Sequence, residues 1–241
     1  KDSLGEIPAL EESACAGLSR TEQFDHLLPQ IRTVAQRPFC KPKVVVVTRK
    51  LDVGGTEHHL LQVLPHLATK FDVSVFVIYA GGKLESGLVR LGIPVFGPEL
   101  NVGNCVTRIV AASWLCAIFL RNRNAVIHFV LPEPYLIGGI CGSVLGHQRM
   151  VMSRRSLNEY FKSHKVLAAV EKKLHQRMQF VIGNSRAVLN ELFYEGVPES
   201  RLRLIYNGVD IRRFQNKGVG GVSRVQLGIM PGELVIITVA N

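Results

Sequence analysis

The sequence predicts an α/β protein built on a doubly wound, mostly parallel sheet. Three observations carry that expectation. Short apolar runs alternate with helical periodicity seven times, the first run is apolar on both faces, and polar residues recur where the runs end. The chain has 241 residues, 47% of them hydrophobic, with mean hydropathy +0.18, enough apolar material for a core and too much for disorder.

Residues 1–42 are polar and proline-marked, with weak helical spacing over 21–36, and read as an N-terminal extension. "KVVVV" (43–47) reads as a central parallel strand. Over 56–69, Leu60, Leu61, Val63, Leu64 and Leu67 fall on one side of a helix that Pro65 should kink or shorten. "DVSVFVIY" (72–79) is the next strand, followed by a helix over 83–91 that Gly92 terminates. The strand "IPVF" (93–96), a helix over 105–120, the strand "AVIHFV" (125–130) and a glycine-rich helix over 134–146 come next. "RMVMSR" (149–154), a helix over 158–177, and "QFVIGN" (179–184) continue the alternation. Ser185 is a natural N-cap for a helix ending near Gly196, and "RLRLIYN" (201–207) closes the series. Right-handed βαβ units follow, hence a Rossmann-like domain over 43–216. "KGVGGVSR" reads as a linker and "GELVIITVAN" (232–241) as the first strand of a second domain, so 217–241 is expected to lead into one.

Net charge is +10, and residues 149–217, with fourteen basic and six acidic side chains, hold most of the surplus. Such a face suits an anionic partner or serves solubility alone. Aromatics are 7% and no nucleic-acid recognition motif occurs, so nucleic acid is not expected as a partner. The five scattered cysteines form no CxxC pair, which argues against a disulfide framework or a zinc site and for a reducing compartment. Cys116 and Cys141 read as small core residues. No apolar run reaches membrane-spanning length, and the N-terminus lacks a signal-peptide plan.

Ligands of doubly wound sheets bind outside the carboxyl ends of the strands. Gly54 and Gly55 sit at such an end, with Thr56 or Asp52 available to cap the next helix and Glu57 in its first turn. Glycine permits close approach to a helix start, where backbone N–H groups attract anions. Neither the dinucleotide fingerprint nor the Walker pattern is met. At the end of the fourth strand lie His128, Glu133 stiffened between two prolines, and Tyr135. His128 also reads as a core histidine, and Glu133 as an acid favoured at a helix start. Arg154 and Arg155 are adjacent in extended chain and therefore point opposite ways, one toward the cleft and one to a surface or salt-bridge position. Asn184 and Ser185 read as turn and cap, Asn207 opens an Asn-Gly turn, and Asp210 caps a helical turn holding Phe214.

The stretches "VGGTEHHLLQVLPHLA", "SRRSLN", "VIGNSRAVLNELFYEGVPESRLRLIYNGVDIRRF" and "ELVIITVAN" resemble retaining glycosyltransferases of the large GT-B family four, from about residue 43 onward. The resemblance implies an N-terminal acceptor-binding domain and a C-terminal domain for a nucleoside-diphosphate sugar, with no cofactor and no metal. It implies that the glycine-rich loop approaches the donor diphosphate. The implied site comprises Gly54, Gly55, Thr56, Glu57, Tyr135, Arg154, Arg155, Asn184, Ser185 and Asn207 for donor and acceptor, with His128 and Glu133 as the catalytic candidates. Where the family often carries a second histidine, in an H-x-H pattern, this chain has Val130. The family's donor-gripping Arg/Lys pair and E-x7-E carboxylates belong to the C-terminal domain, and the chain as given is expected to be inactive alone.

The implied reaction is retaining sugar transfer to an acceptor hydroxyl, in cell-surface polysaccharide or glycolipid synthesis. The acceptor would be a carbohydrate or lipid-linked molecule. The expected location is cytoplasmic, peripheral on the inner face of a membrane. Residues 105–123 combine an apolar face with Arg108, Arg121 and Arg123, which suits an anionic bilayer or simply packing on the sheet. A nucleotide-sugar epimerase or dehydrogenase is the rival enzyme, opposed in the nicotinamide case by the missing fingerprint. A non-catalytic acceptor- or partner-binding remnant is the rival outside catalysis.

Overall fold

The computed structural model describes residues 41–100, 104–157, 165–208, 224, 226–230 and 232–236. Seven strands form one sheet: β1 (Lys43–Thr48), β2 (Asp72–Val77), β3 (Val95–Phe96), β4 (Val126–Val130), β5 (Met150–Arg154), β6 (Phe180–Gly183) and β7 (Leu202–Leu204). Their order is β3-β2-β1-β4-β5-β6-β7, with every pair parallel. The order reverses between β1 and β4, which makes their carboxyl ends the topological switch point.

Helices α1 (Gly55–Ala68) and α2 (Glu85–Arg90) cover one face. Leu60, Leu64 and Leu88 pack there on Val46, Val75 and Val77. Helices α3 (Asn104–Arg121), α4 (Pro132–Val144), α5 (Lys165–His175) and α6 (Arg186–Tyr194) contribute to the core on the other face. Ala111, Leu115, Tyr135, Leu174 and Leu192 meet Val45, Phe76, Ile127, Phe129 and Met152 on that side. Adjacent β1 residues thus enter different cores, which is why the strand is apolar at successive positions.

Several local expectations changed. Helix α1 runs through Pro65 to Ala68 and is not shortened, although proline removes the N–H that would bond the Leu61 carbonyl. Neither Thr56 nor Asp52 caps it. Gly54 is the N-cap with no side-chain bond, while Asp52 pairs with Lys50 at 3.0 Å and accepts from the Lys83 N–H. Helix α4 starts at Pro132, two residues earlier than read, since proline suits a first helical turn. Gly92 (φ +77°) does follow α2 as a left-handed terminator, and the Ser185 hydroxyl does accept from Val188 N–H at the start of α6. Cys116 and Cys141 are partly buried free thiols between α3 and α4. The extension over 1–40, Asp210, Phe214, most of the linker and residues 237–241 lie outside the described residues, as do 158–164 of the predicted sixth helix.

Close packing of α4 on the sheet rests on glycine. A Cβ at Gly138 would run into the Phe129 ring, and one at Gly142 into Met150 Sδ. Gly138→Ala should therefore lose about 1–3 kcal/mol in urea unfolding through overpacking, despite a helix-propensity gain of about 1 kcal/mol. An unchanged or raised stability would show that the helix simply shifts outward.

Candidate functional site

A cavity of about 110 Å³ opens at the carboxyl ends of β4 and β5, facing the start of α1. Its wall includes Thr56, Leu131, Pro132, Tyr135, Ser153 and the run from Arg154 to Leu157, with Glu171 at the base. Leu131 joins β4 to α4 at φ +81° and ψ +154°, a region essentially reserved for glycine, and is the one non-glycine residue with positive φ among the described residues. Such strain costs on the order of 1–3 kcal/mol and concentrates at ligand sites.

The glycines of the first loop need no special backbone. Gly54 has φ −161°, ordinary extended chain, and Gly55 is already helical. A Cβ on Gly55 would meet nothing within 4 Å. The Glu57 carboxylate folds back over Gly54 into space that a Cβ would take. The fold therefore leaves the space beside Gly55 open at a helix N-terminus, where N–H groups favour an anion.

The two arginines face opposite ways, as alternation requires. Arg154 is 6% exposed. It donates through Nη2 to Glu171 at 2.5 Å and through Nη1 to both oxygens of Glu195, with Glu191 3.8 Å away. Burial pushes the Glu171 carboxyl up to about 7, against the pull of Arg154. Glu195 is also raised by burial, but its bonds to His175 and Arg154 win and hold it below the usual range. Burial lowers the His175 imidazole, and its Nδ1 shares a hydrogen bond with the buried Tyr135 hydroxyl at 2.9 Å. Glu171, His175 and Glu195 offer donor atoms within 4.8 Å of one another, the spacing of a metal site, and Arg154 supplies the counter-cation there.

Arg155 belongs to the cavity. Burial lowers its pKa, with the Glu57 charge partly opposing. Its Nη2 donates to Asn207 Oδ1, and its backbone carbonyl accepts from Asn184 Nδ2 at 2.9 Å, so the ends of β5, β6 and β7 are tied together. His128 is half-buried on the same side, bonded through Nε2 to Ser153 Oγ at 2.7 Å. Burial first, then the Arg155 and His59 charges, push it down to about 4, so it is a neutral imidazole at pH 7.

Glu133 lies elsewhere. Its Oε1 accepts from Tyr79 hydroxyl (2.9 Å) and Arg108 Nε (2.6 Å), and its Oε2 from Arg49 Nε (2.7 Å). Burial raises its pKa, yet these three bonds prevail and keep it ionised below the usual carboxylate range. With three donors and two arginine charges on it, the carboxylate is held in its ionised form. The structure thus groups Thr56, Tyr135, Arg154 and Arg155 at one cavity, places Gly55, Glu57, His128, Asn184 and Asn207 around it, uses Ser185 as a cap, and sets Glu133 in a second cluster.

Sequence reasoning missed Arg49, Tyr79, Arg108, Ser153 and Glu171. A signal existed for Glu171. It stands among Leu167, Val170 and Leu174, an acid within a helical apolar stripe, which demands a buried partner. Nothing local marks Arg49 or Arg108, whose partner is 84 and 25 residues distant.

A doubly wound sheet with a cavity at the carboxyl ends of its strands has the geometry at which such folds bind ligands. The model of Glycosyltransferase Family 4 matches residues 53–213, and the chain belongs to that family. Its sheet is the N-terminal Rossmann-like portion of a GT-B glycosyltransferase. Anabaena HepE, solved with UDP and with UDP-glucose, has a TM-score of 0.61 and 19% identity, covering 77% of this chain and 50% of its own. A glycosyltransferase from Rickettsia africae has a TM-score of 0.52 and 17% identity over 73% of this chain and 46% of its own. The lipopolysaccharide outer core galactosyltransferase WaaB has a TM-score of 0.53 and 12% identity over 70% of this chain and 46% of its own. The chain thus spans about half the length of these solved relatives. Against curated protein sequences nothing matches.

Removing Arg154 would leave the buried Glu171 and the half-buried Glu195 without their cation. Arg154→Met should lower the unfolding free energy by about 3–5 kcal/mol at pH 7 in urea titration. A loss below about 1 kcal/mol would mean that proton uptake relieves the carboxylates and that the network is not what fixes β5.

Proposed function

We propose that this chain works in an enzyme that moves a sugar from a nucleoside-diphosphate sugar to an acceptor hydroxyl with anomeric retention, in cell-surface polysaccharide or glycolipid synthesis. The observation that carries this is the unfilled space beside Gly55, at the first turn of α1, next to the cavity that Arg155 shares. As the anomeric carbon–oxygen bond breaks, the leaving diphosphate gains negative charge. In this reading, backbone N–H groups of α1 and the Arg155 guanidinium stabilise that charge. Neutral His128, with one ring nitrogen held by Ser153, binds a sugar hydroxyl rather than serving as an acid. The donor assignment draws on HepE, which binds UDP and UDP-glucose on the same fold.

The acceptor side faces a membrane in this reading, with the protein in the cytoplasm at the inner leaflet. No helix among the described residues is long and apolar enough to cross a bilayer. The α3 face drawn from sequence is redistributed: Phe119 enters the core and Ile118 packs against it, while Val106, Ile109, Trp114 and Leu120 are exposed. On α4, Ile140 and Val144 add to the exposed apolar residues, with Arg121 and Arg123 nearby in sequence to meet anionic headgroups.

In the full-length enzyme, Gly55→Trp should abolish turnover of the nucleotide sugar while the chain still folds, because a Cβ at that position meets nothing within 4 Å. Wild-type turnover in that variant refutes the donor assignment. Ile109→Glu combined with Val144→Glu should release the protein from anionic vesicles in co-sedimentation. Equal sedimentation before and after the change removes this face from membrane contact.

A further inference from the structure

The cluster around Glu133 stands apart from the cavity and has a different composition. Arg49 follows β1, Glu133 opens α4 just after β4, Tyr79 follows β2, and Arg108 comes from α3. The switch point between β1 and β4 is therefore crossed by one carboxylate that carries two guanidinium groups. Both arginines bind it through Nε. Their terminal amino groups have no further partner among the described residues, and the two side chains are 55% and 50% exposed. The Arg49 guanidinium also lies over the Tyr79 ring, 5.3 Å from its centre, and Arg108 Nε reaches the Tyr79 hydroxyl at 3.1 Å.

A carboxylate that served only to neutralise would need one cation. Here one acid takes two, which leaves a unit of positive charge on a rim with two pre-oriented forks. Ring stacking and the shared carboxylate restrict both arginines before any ligand arrives, so little side-chain entropy remains to be lost. The remaining nearby charges do not cancel the excess, since Lys50 and Asp52 pair with each other.

We infer that Arg49 and Arg108, held on Glu133 and Tyr79, form a second anion site that takes a phosphate ester carried by the acceptor. Its free amino groups offer donors from two directions, which suits the several oxygens of a tetrahedral phosphate better than a planar carboxylate already matched by one fork. The word acceptor rests on the glycosyltransferase reading, while the anion site stands on its own geometry.

The test is titration calorimetry of the full chain with inorganic phosphate, and co-sedimentation with phosphatidylcholine vesicles containing phosphatidic acid, compared with phosphatidylcholine alone. Saturable binding that falls about tenfold or more in each of Arg49→Gln and Arg108→Gln is expected. Arg49→Lys and Arg108→Lys, which keep the charge and lose the fork, should weaken binding as well. Arginine-dependent binding to the phosphatidic acid vesicles assigns a lipid-borne phosphate, and arginine-dependent binding of inorganic phosphate alone assigns a soluble ester. Absence of binding to both probes overturns the inference, as does unchanged affinity in the glutamine or lysine variants. Donor binding is read separately: UDP-glucose bound without phosphate at these arginines overturns this site alone. Phosphate bound here without any sugar transfer by the full-length enzyme counts against the catalytic reading and keeps the anion site.

Discussion

Arg154 is the charge around which the second half of the domain is arranged. Its guanidinium leaves water at the end of β5 and takes its counter-charges from Glu171 on α5 and from Glu195 just after α6. Burying these ions costs several kcal/mol each, and hydrogen-bonded pairing recovers that cost only in good geometry. Strand β5 and the two helices are therefore held in one relative position. Because successive side chains alternate, anchoring Arg154 on one face of the strand forces Arg155 onto the other, and the two border the cavity at the strand end from opposite faces. Asn207 and Asn184 then brace Arg155 from β7 and β6. A structural ion network thus fixes which way the neighbouring arginine points.

The glycines differ in what the packing asks of them. Gly138 and Gly142 are required by atoms already present, since α4 lies against Phe129, Phe119 and Met150. Gly55 is required by nothing in the domain, and Leu131, beside the same cavity, occupies backbone space that glycine would fill more comfortably. A missing side chain without a steric reason and a present one under strain together mark this wall as shaped for something other than its own packing.

Much of the architecture was legible because it depends on local pattern. Among the described residues from 43 to 207 each expected strand and helix appears near its place, whereas the described part of the expected last strand, residues 232–236, forms none; the Ser185 cap and the Gly92 terminator follow from conformational preferences that act over one turn. The opposition of Arg154 and Arg155 was also readable, but not which of them would be buried, since that depends on where Glu171 and Glu195 arrive in space. The partners of Glu133 were hidden for the same reason. Its two cations come from distant elements, and a carboxylate's availability is set by what surrounds it, not by the prolines that flank it. The strain at Leu131 had no signal, because a leucine at a strand end is ordinary until its backbone angles are known.

The position of β1 has a bearing on how the chain is made. Its partner on one side, β4, lies far downstream, with Val44 paired to Val126. During synthesis the segment Lys43–Thr48, apolar on both faces, emerges long before that neighbour exists. It can dock on β2 first, but one edge stays open until the ribosome has released β4. The nascent protein consequently spends an interval as an unfinished half-sheet, and chaperone shielding of that exposed edge would decide how much of it reaches the native state.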